Sequence, residues 1–309
     1  MKDREQGIGH LMASITIIIW GTTFISTKVL LKDFQPVEIL FFRFVLGLVM
    51  LWIMKPKILR LNEKKQEWMF AGAGLCGICL YYLFENIALT YTQASNVSVI
   101  VSISPFFIGI LAHLFLQGER LKGSFLIGFV FAIIGIAFIS FSGQDGVEMN
   151  LKGDLLCVAG AFVWGIYSIL CKKISEYGYN MIQTTRRMFE YGILFMIPAV
   201  LLSDFHWGFS RFADPVNMLN LLFLGVGACA VCFVTWNYAV KILGAMKTSA
   251  YIYVIPVITI VMSVIILHEK MTAMSVAGTI LTLVGLAMSE GRPQKSKKSI
   301  DIEKNLGYN

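Results

Sequence analysis

Glu85 is an ionisable side chain in the apolar run Leu83-Phe84-Glu85-Asn86-Ile87. At membrane depth such a group costs about 2.5 to 3.5 kcal/mol unless it is paired or wetted. Three chemistries are open to it: carrying a proton, holding the amine of a bound solute, or forming a structural ion pair with Arg43 in the neighbouring apolar stretch. Asn86 and Asn237 could each donate and accept hydrogen bonds to a polar solute. Trp20 and Trp164 stand near the middle of their apolar stretches rather than at the water interface that tryptophan favours, and are expected to face inward. Each could wall a cavity or simply pack beside its glycine neighbour, Gly21 or Gly165, and Tyr82, Tyr167 and Trp236 are lesser candidates of the same kind.

Two more stretches carry polar atoms on one helical face. Ser95, Ser98, Ser102, Pro105, Gly109 and Ala112 recur at spacings of three and four, as do Ser249, Tyr253, Pro256, Thr259 and Ser263. Small faces in lipid serve helix packing more often than solute binding, so Tyr253 and Ser98 or Ser102 are singled out ahead of the rest. Pro105 and Pro256 remove a backbone donor in mid-stretch and free the carbonyls of Val101 and Ile252, which marks a cavity, a gating bend or a packing kink.

The elements that must position these residues are apolar helices. The chain is 57% hydrophobic and only 15% charged, and its apolar stretches reach the roughly 20 residues that a bilayer-crossing helix needs. The expected spans are 10–31, 37–54, 68–91, 94–116, 123–142, 152–174, 181–202, 217–242, 245–267 and 272–289, an all-α polytopic membrane protein of ten transmembrane helices. The first is too long for a signal-peptide core and reads as a retained span. The net charge of +7 gathers on one side: Lys and Arg crowd the segments at 55–65, 120–122, 172–173 and 292–304, whereas the opposite loops hold only Lys32, Lys152, Arg211 and Lys270. That asymmetry puts both termini in the cytoplasm of a cell membrane, and it accounts for the basic charge without a nucleic-acid partner. Lys28 and Lys172, near span ends, are expected to snorkel to the interface.

The chain is also written twice. Gly9, Trp20, Gly21, Lys28 and Arg43 recur as Gly153, Trp164, Gly165, Lys172 and Arg187; Asn86, Ala94 and Pro105 as Asn237, Ala245 and Pro256; Glu119, Gly128 and Gly135 as Glu269, Gly278 and Gly285. Five spans per copy force the second copy to enter from the opposite side, giving two inverted five-helix repeats over 7–143 and 150–290, followed by a disordered basic cytoplasmic tail, 291–309. The copies are not identical. The counterpart of Glu85 is Trp236, and Arg187 has Glu190 three residues on in its own helix, so the second half is expected to neutralise its arginine locally. Glu119 and Glu269 are expected to cap or shape short loops. The glycine faces at Gly128, Ala132, Gly135 and at Gly278, Thr282, Gly285 suit close helix contact, either between the repeats or in a homodimer.

In the order and double occurrence of these motifs, from Trp20-Gly21 and Trp164-Gly165 through ENIALTYTQASNVSVIVSISPFF (85–107) and WNYAVKILGAMKTSAYIYVIPV (236–257) to Glu119 and Glu269, the chain resembles the EamA-type members of the drug/metabolite transporter superfamily over nearly its whole length. The resemblance implies an inverted-repeat carrier exporting amino acids or other small metabolites, with a cavity between its halves. Exporters of organic cations or drugs are the alternative within that class. A non-transporting sensor would leave the duplication unexplained, and an enzyme lacks an evident nucleophile or metal cluster. Cys76/Cys79 and Cys229/Cys232 share the CxxC spacing, but thiols in apolar helices are ordinary packing residues, and no cofactor is expected. The expected partners are a small solute, the lipid bilayer and, as a coupling ion, the proton.

Overall fold

The computed structural model describes residues 2–116, 123–141 and 151–290. The expectations for Glu119 and for the tail at 291–309 lie outside them. Among the described residues the secondary structure is helical without strands, the solution that satisfies every backbone N–H and C=O inside the segment itself. In chain order the apolar helices are α1 (Arg4–Leu30), α2 (Pro36–Met54), α3 (Lys64–Tyr91), α4 (Ala94–Phe115) and the shorter α5 (Gly123–Ile139). There follow α6 (Leu151–Ser175), α7 (Met181–Leu202), α8 (Pro215–Leu243), α9 (Ala245–Leu267) and the shorter α10 (Ala273–Met288). Seven of these are long and apolar enough to cross a membrane, namely all but α5, α7 and α10. Helix α7 has the length, 22 residues, but carries Arg186, Arg187 and Glu190.

Local chemistry sets the ends. Pro36 opens α2, whose Glu38 carboxylate accepts from the Gln35 N–H at 2.8 Å. Asn180 caps α7 through the Ile182 N–H at 3.2 Å, and Asp214, followed by Pro215, caps α8 through the Val216 N–H at 2.8 Å. Gly244, at φ 89°, separates α8 from α9 in a backbone conformation closed to other residues.

Several helices are irregular in mid-course. Helix α4 breaks at Ser102 and Ile103 and resumes at Ser104, with Pro105 in the first turn. The Ser104 hydroxyl donates to the Val101 carbonyl at 2.5 Å, supplying the bond that Pro105 cannot. Helix α9 tightens to a 3₁₀ turn over Ala250–Val254 ahead of Pro256, and the Ile255 N–H donates to the Ile252 carbonyl. Helices α3 and α8 widen to π turns at Gly74–Leu80 and Phe223–Val231. A Cβ on Gly77 would fall inside the Tyr167 ring, so only glycine lets α3 lie this close to α6.

Helices α5 and α10 pack on each other through their small faces: a Cβ on Gly278 would stand 2.5 Å from the Gly135 carbonyl oxygen, and one on Gly285 2.5 Å from that of Gly128. Of the two uses open to these faces, the structure takes the contact within the chain. Gly278→Leu is therefore expected to cost at least the 1 to 3 kcal/mol or so of an overpacked contact, read as a lower apparent Tm in detergent. Ile280→Leu, on the exposed face of α10, should leave it unchanged.

Candidate functional site

The π turn of α3 ends at Leu80, and the next helical turn presents Tyr81, Tyr82 and Glu85 to one cavity. Helix α1 adds Trp20, Thr23 and Phe24 to its wall, α4 adds Ser98, Val101, Ser102 and Ser104, α6 adds Trp164, and α9 adds Ile252 and Ile255. The cavity is narrow, with about 30 Å³ of room for water-sized molecules. It opens where α4 and α9 are both broken, so both halves of the chain line it.

The Trp20 and Trp164 rings meet edge to face at 5.4 Å, and Trp236 lies 5.1 Å from Trp20. Tyr81 and Tyr167 each stand 4.8 Å from Trp164. Edge-to-face and tilted contacts of this kind suit the ring quadrupole and stiffen the wall they form. The Trp20 indole N–H donates to the Ala228 carbonyl at 3.1 Å, whereas those of Trp164 and Trp236 have no acceptor.

Glu85 is buried and hydrogen-bonds with Tyr81, while its Oε1 has no partner. The ion pair with Arg43 is not made: among the described pairs within 4.0 Å, the acidic partners are Glu176, Glu190, Glu67 and Glu38. Arg43 instead donates from Nε to the Cys229 sulfur at 3.3 Å and lies 4.4 Å over the Tyr82 ring. Both its terminal nitrogens are unpartnered and fully buried. Tyr82 thus lines the cavity and also carries the guanidinium of Arg43 on its ring.

Asn86, Tyr167, Trp236, Asn237, Tyr253, Pro105 and Pro256, all singled out in the sequence, are not in the cavity's lining. Asn237 accepts from the Tyr167 hydroxyl at 3.0 Å and donates to Thr185 Oγ1 at 3.1 Å, so both are committed to a buried bridge between α6, α7 and α8. Asn86 donates to the Pro36 carbonyl at 3.1 Å. Trp236 backs the aromatic cluster from behind Trp20. Tyr253 lies in the 3₁₀ turn of α9, half-buried. Pro105 and Pro256 sit just behind the lining residues Ser104 and Ile255.

The charge pairing of α7 differs from expectation. Arg187 pairs with Glu67 of α3, which Tyr191 also contacts, and Glu190 stands 3.5 Å from Arg186 instead. Spacing of three along one helix offered Arg187 a partner, but a carboxylate on a neighbouring helix reaches it better. Lys28 does not simply run out to the interface either: it donates to the carbonyls of Leu89 and Thr92 at 2.5 and 2.8 Å, closing the C-terminal end of α3. Lys172 pairs with Glu176 at 3.6 Å.

Contacts between the halves flank the lining residues of α1 and α4 on either side. At one end His10 Nδ1 and the Tyr251 hydroxyl are 2.6 Å apart, and Thr16 and Thr235 share a hydrogen bond of 2.7 Å. At the other, Glu269 accepts from the Ala94 N–H at 2.8 Å and from the Ser95 hydroxyl at 2.7 Å, so a carboxylate of the second half caps α4 of the first. Tyr81, Thr23, Phe24, Ser104 and Ile255 complete the lining without having been singled out in the sequence. Ser104 beside Pro105 carried a usable signal, a hydroxyl placed to repair a freed carbonyl.

The sequence profile of the EamA-like transporter family matches residues 7–141 and 151–290. An uncharacterized transporter of Archaeoglobus fulgidus is 28% identical, the match covering 92% of this chain and 97% of that one. A probable terminal-alkyne amino-acid exporter of Streptantibioticus cattleyicolor is 26% identical over 90% and 92% of the two chains. A solved crystal structure superposes with a TM-score of 0.63 at 18% identity, covering 91% of this chain and 95% of the other, which supports the fold alone.

Proposed function

The chain belongs to the EamA-like transporter family, and from that premise we propose that it is a secondary carrier exporting small amphipathic metabolites by alternating access. Its ten helices form two inverted five-helix repeats, 7–143 and 150–290, that rock about the cavity. The observation that carries this reading is the cavity itself: helices of both halves line it, Glu85 in its lining has a carboxylate oxygen without a partner, and contacts between the halves flank it on either side. Breaking the Glu269 contacts opens one side, and breaking the His10–Tyr251 contact opens the other. The basic segments favour an orientation with both termini in the cytoplasm, in which the Glu269 end faces outward.

Amino acids and their relatives are the first substrate class, in keeping with the Streptantibioticus relative named a probable terminal-alkyne amino-acid exporter. Organic cations are the second reading, favoured by the free oxygen of Glu85. Glu85 is the coupling group if protons drive the cycle. Purified protein in proteoliposomes, offered labelled amino acids, nucleosides, sugars and organic cations, is expected to give saturable flux of at least one amine-bearing solute. Absence of flux for the whole panel from folded protein would remove the carrier reading.

A further inference from the structure

The hydrogen-bonding groups around the cavity are strongly one-sided. Four serine and threonine hydroxyls line it, and each has already spent its hydrogen on a backbone carbonyl: Thr23 on Trp20 at 2.7 Å, Ser98 on Ser95 at 2.7 Å, Ser102 on Val99 at 2.6 Å and Ser104 on Val101 at 2.5 Å. What these oxygens still offer is lone pairs. The Trp20 N–H is spent on Ala228, and Tyr81 is hydrogen-bonded with Glu85. Glu85 adds a carboxylate oxygen with nothing bound to it.

The donors left over are neutral, namely the Trp164 indole N–H and the Tyr82 hydroxyl. No lysine or arginine is among the lining residues, and Arg43 is held behind the Tyr82 ring. The rings of Trp20, Trp164 and Tyr81 add faces that attract a cation and flank an apolar body.

We propose that this cavity takes solutes that present an ammonium group beside an apolar or aromatic body and carry no carboxylate, with Glu85 and the serine oxygens receiving the ammonium hydrogens and the tryptophans holding the body. The proposal rests on reading this cavity as the solute site, and of the two substrate classes named above it takes the organic cations over the amino acids. An amino acid would bring the same ammonium, but its carboxylate would enter a desolvated space lined by acceptors, where no cation and almost no donor meets it.

Quenching of intrinsic tryptophan fluorescence in the purified, detergent-solubilised chain tests this with 2-phenylethylamine, L-phenylalanine and 3-phenylpropionate, which share one ring and differ in charged groups. The amine is expected to bind about tenfold or more tighter than phenylalanine, the scale of one unmatched buried polar group, and phenylpropionate not to bind. Equal or tighter binding of phenylalanine, binding of phenylpropionate, or no quenching by any of the three at millimolar concentration overturns the proposal. Glu85→Gln should weaken the amine about tenfold and close its gap to phenylalanine, and an unchanged gap in a folded variant also overturns it. The ranking in the unsubstituted chain decides the matter if that variant does not fold. Flux of the same compounds in proteoliposomes separates this proposal from the carrier reading. Saturable phenylalanine flux with weak amine binding sinks the proposal alone, while tight amine binding without flux of any solute sinks the carrier reading alone.

Discussion

Glu85→Gln is expected, on the proton-coupled form of the proposed cycle, to reduce pH-gradient-driven accumulation of solute to the level of protein-free liposomes while leaving counterflow at saturating solute in place. One carboxylate oxygen is free, and it can hold either a proton or a solute ammonium but not both. That exclusion ties the movement of one to the movement of the other. An amide keeps the size of the side chain and can still accept a hydrogen bond from Tyr81, so the cavity should survive while the exchange of proton for solute is lost. Since Arg43 and Glu85 are not within ion-pair distance, the substitution breaks no pair. Counterflow at low solute should weaken through a higher KM, and counterflow at saturation should persist. Loss of both activities together with loss of monodisperse protein would instead make Glu85 a structural residue.

Trp20→Ala is expected to cost about 3 to 5 kcal/mol of stability, as large aromatic deletions in packed cores do, and Trp20→Phe only about 1 kcal/mol, the net worth of its hydrogen bond. Trp20 touches the rings of Trp164, Phe233 and Trp236 and holds the Ala228 carbonyl across the two halves of the chain. Its alanine variant should therefore lose the apparent Tm measured in detergent before any flux can be recorded. The phenylalanine variant should retain both the fold and the flux, with a changed KM. A stable alanine variant with altered KM would assign Trp20 to the solute alone and remove it from the core.

The helices were legible in the sequence because a membrane segment must satisfy its own backbone, which makes length and apolarity nearly sufficient. The stretch read as 181–202 is the helix Met181–Leu202, and that read as 94–116 is Ala94–Phe115. The broken middle of α4 was legible from Pro105. What a single helix cannot encode is the partner on another helix. Glu67 approaches Arg187 from α3, and Cys229 reaches Arg43 from α8; neither follows from spacing along one segment. The cavity divides in the same way. Trp20, Tyr82, Glu85, Ser98, Ser102 and Trp164 stand together in it, being polar or bulky groups at depth on faces that periodicity could trace. Asn237 is as polar as any of them, yet its hydrogen bonds go to Tyr167 and Thr185. Tyr81 escaped notice because it adjoins Tyr82, and two neighbours on a regular helix do not share a face. Both nonetheless reach the cavity, from the first turn of the regular helix that follows the widened one.

Those widened turns, Gly74–Leu80 in α3 and Phe223–Val231 in α8, bear on how the chain tolerates changes in length. A π turn holds one residue more than the α turn it replaces, so each is an insertion that the helix has absorbed without breaking. Removing a residue from an ordinary helix swings everything beyond it by about 100°. Removed from one of these turns, it lets a loose coil tighten while the stretches on either side keep their bearings. The two segments are thus spare length, placed at matching points in the two copies of the chain.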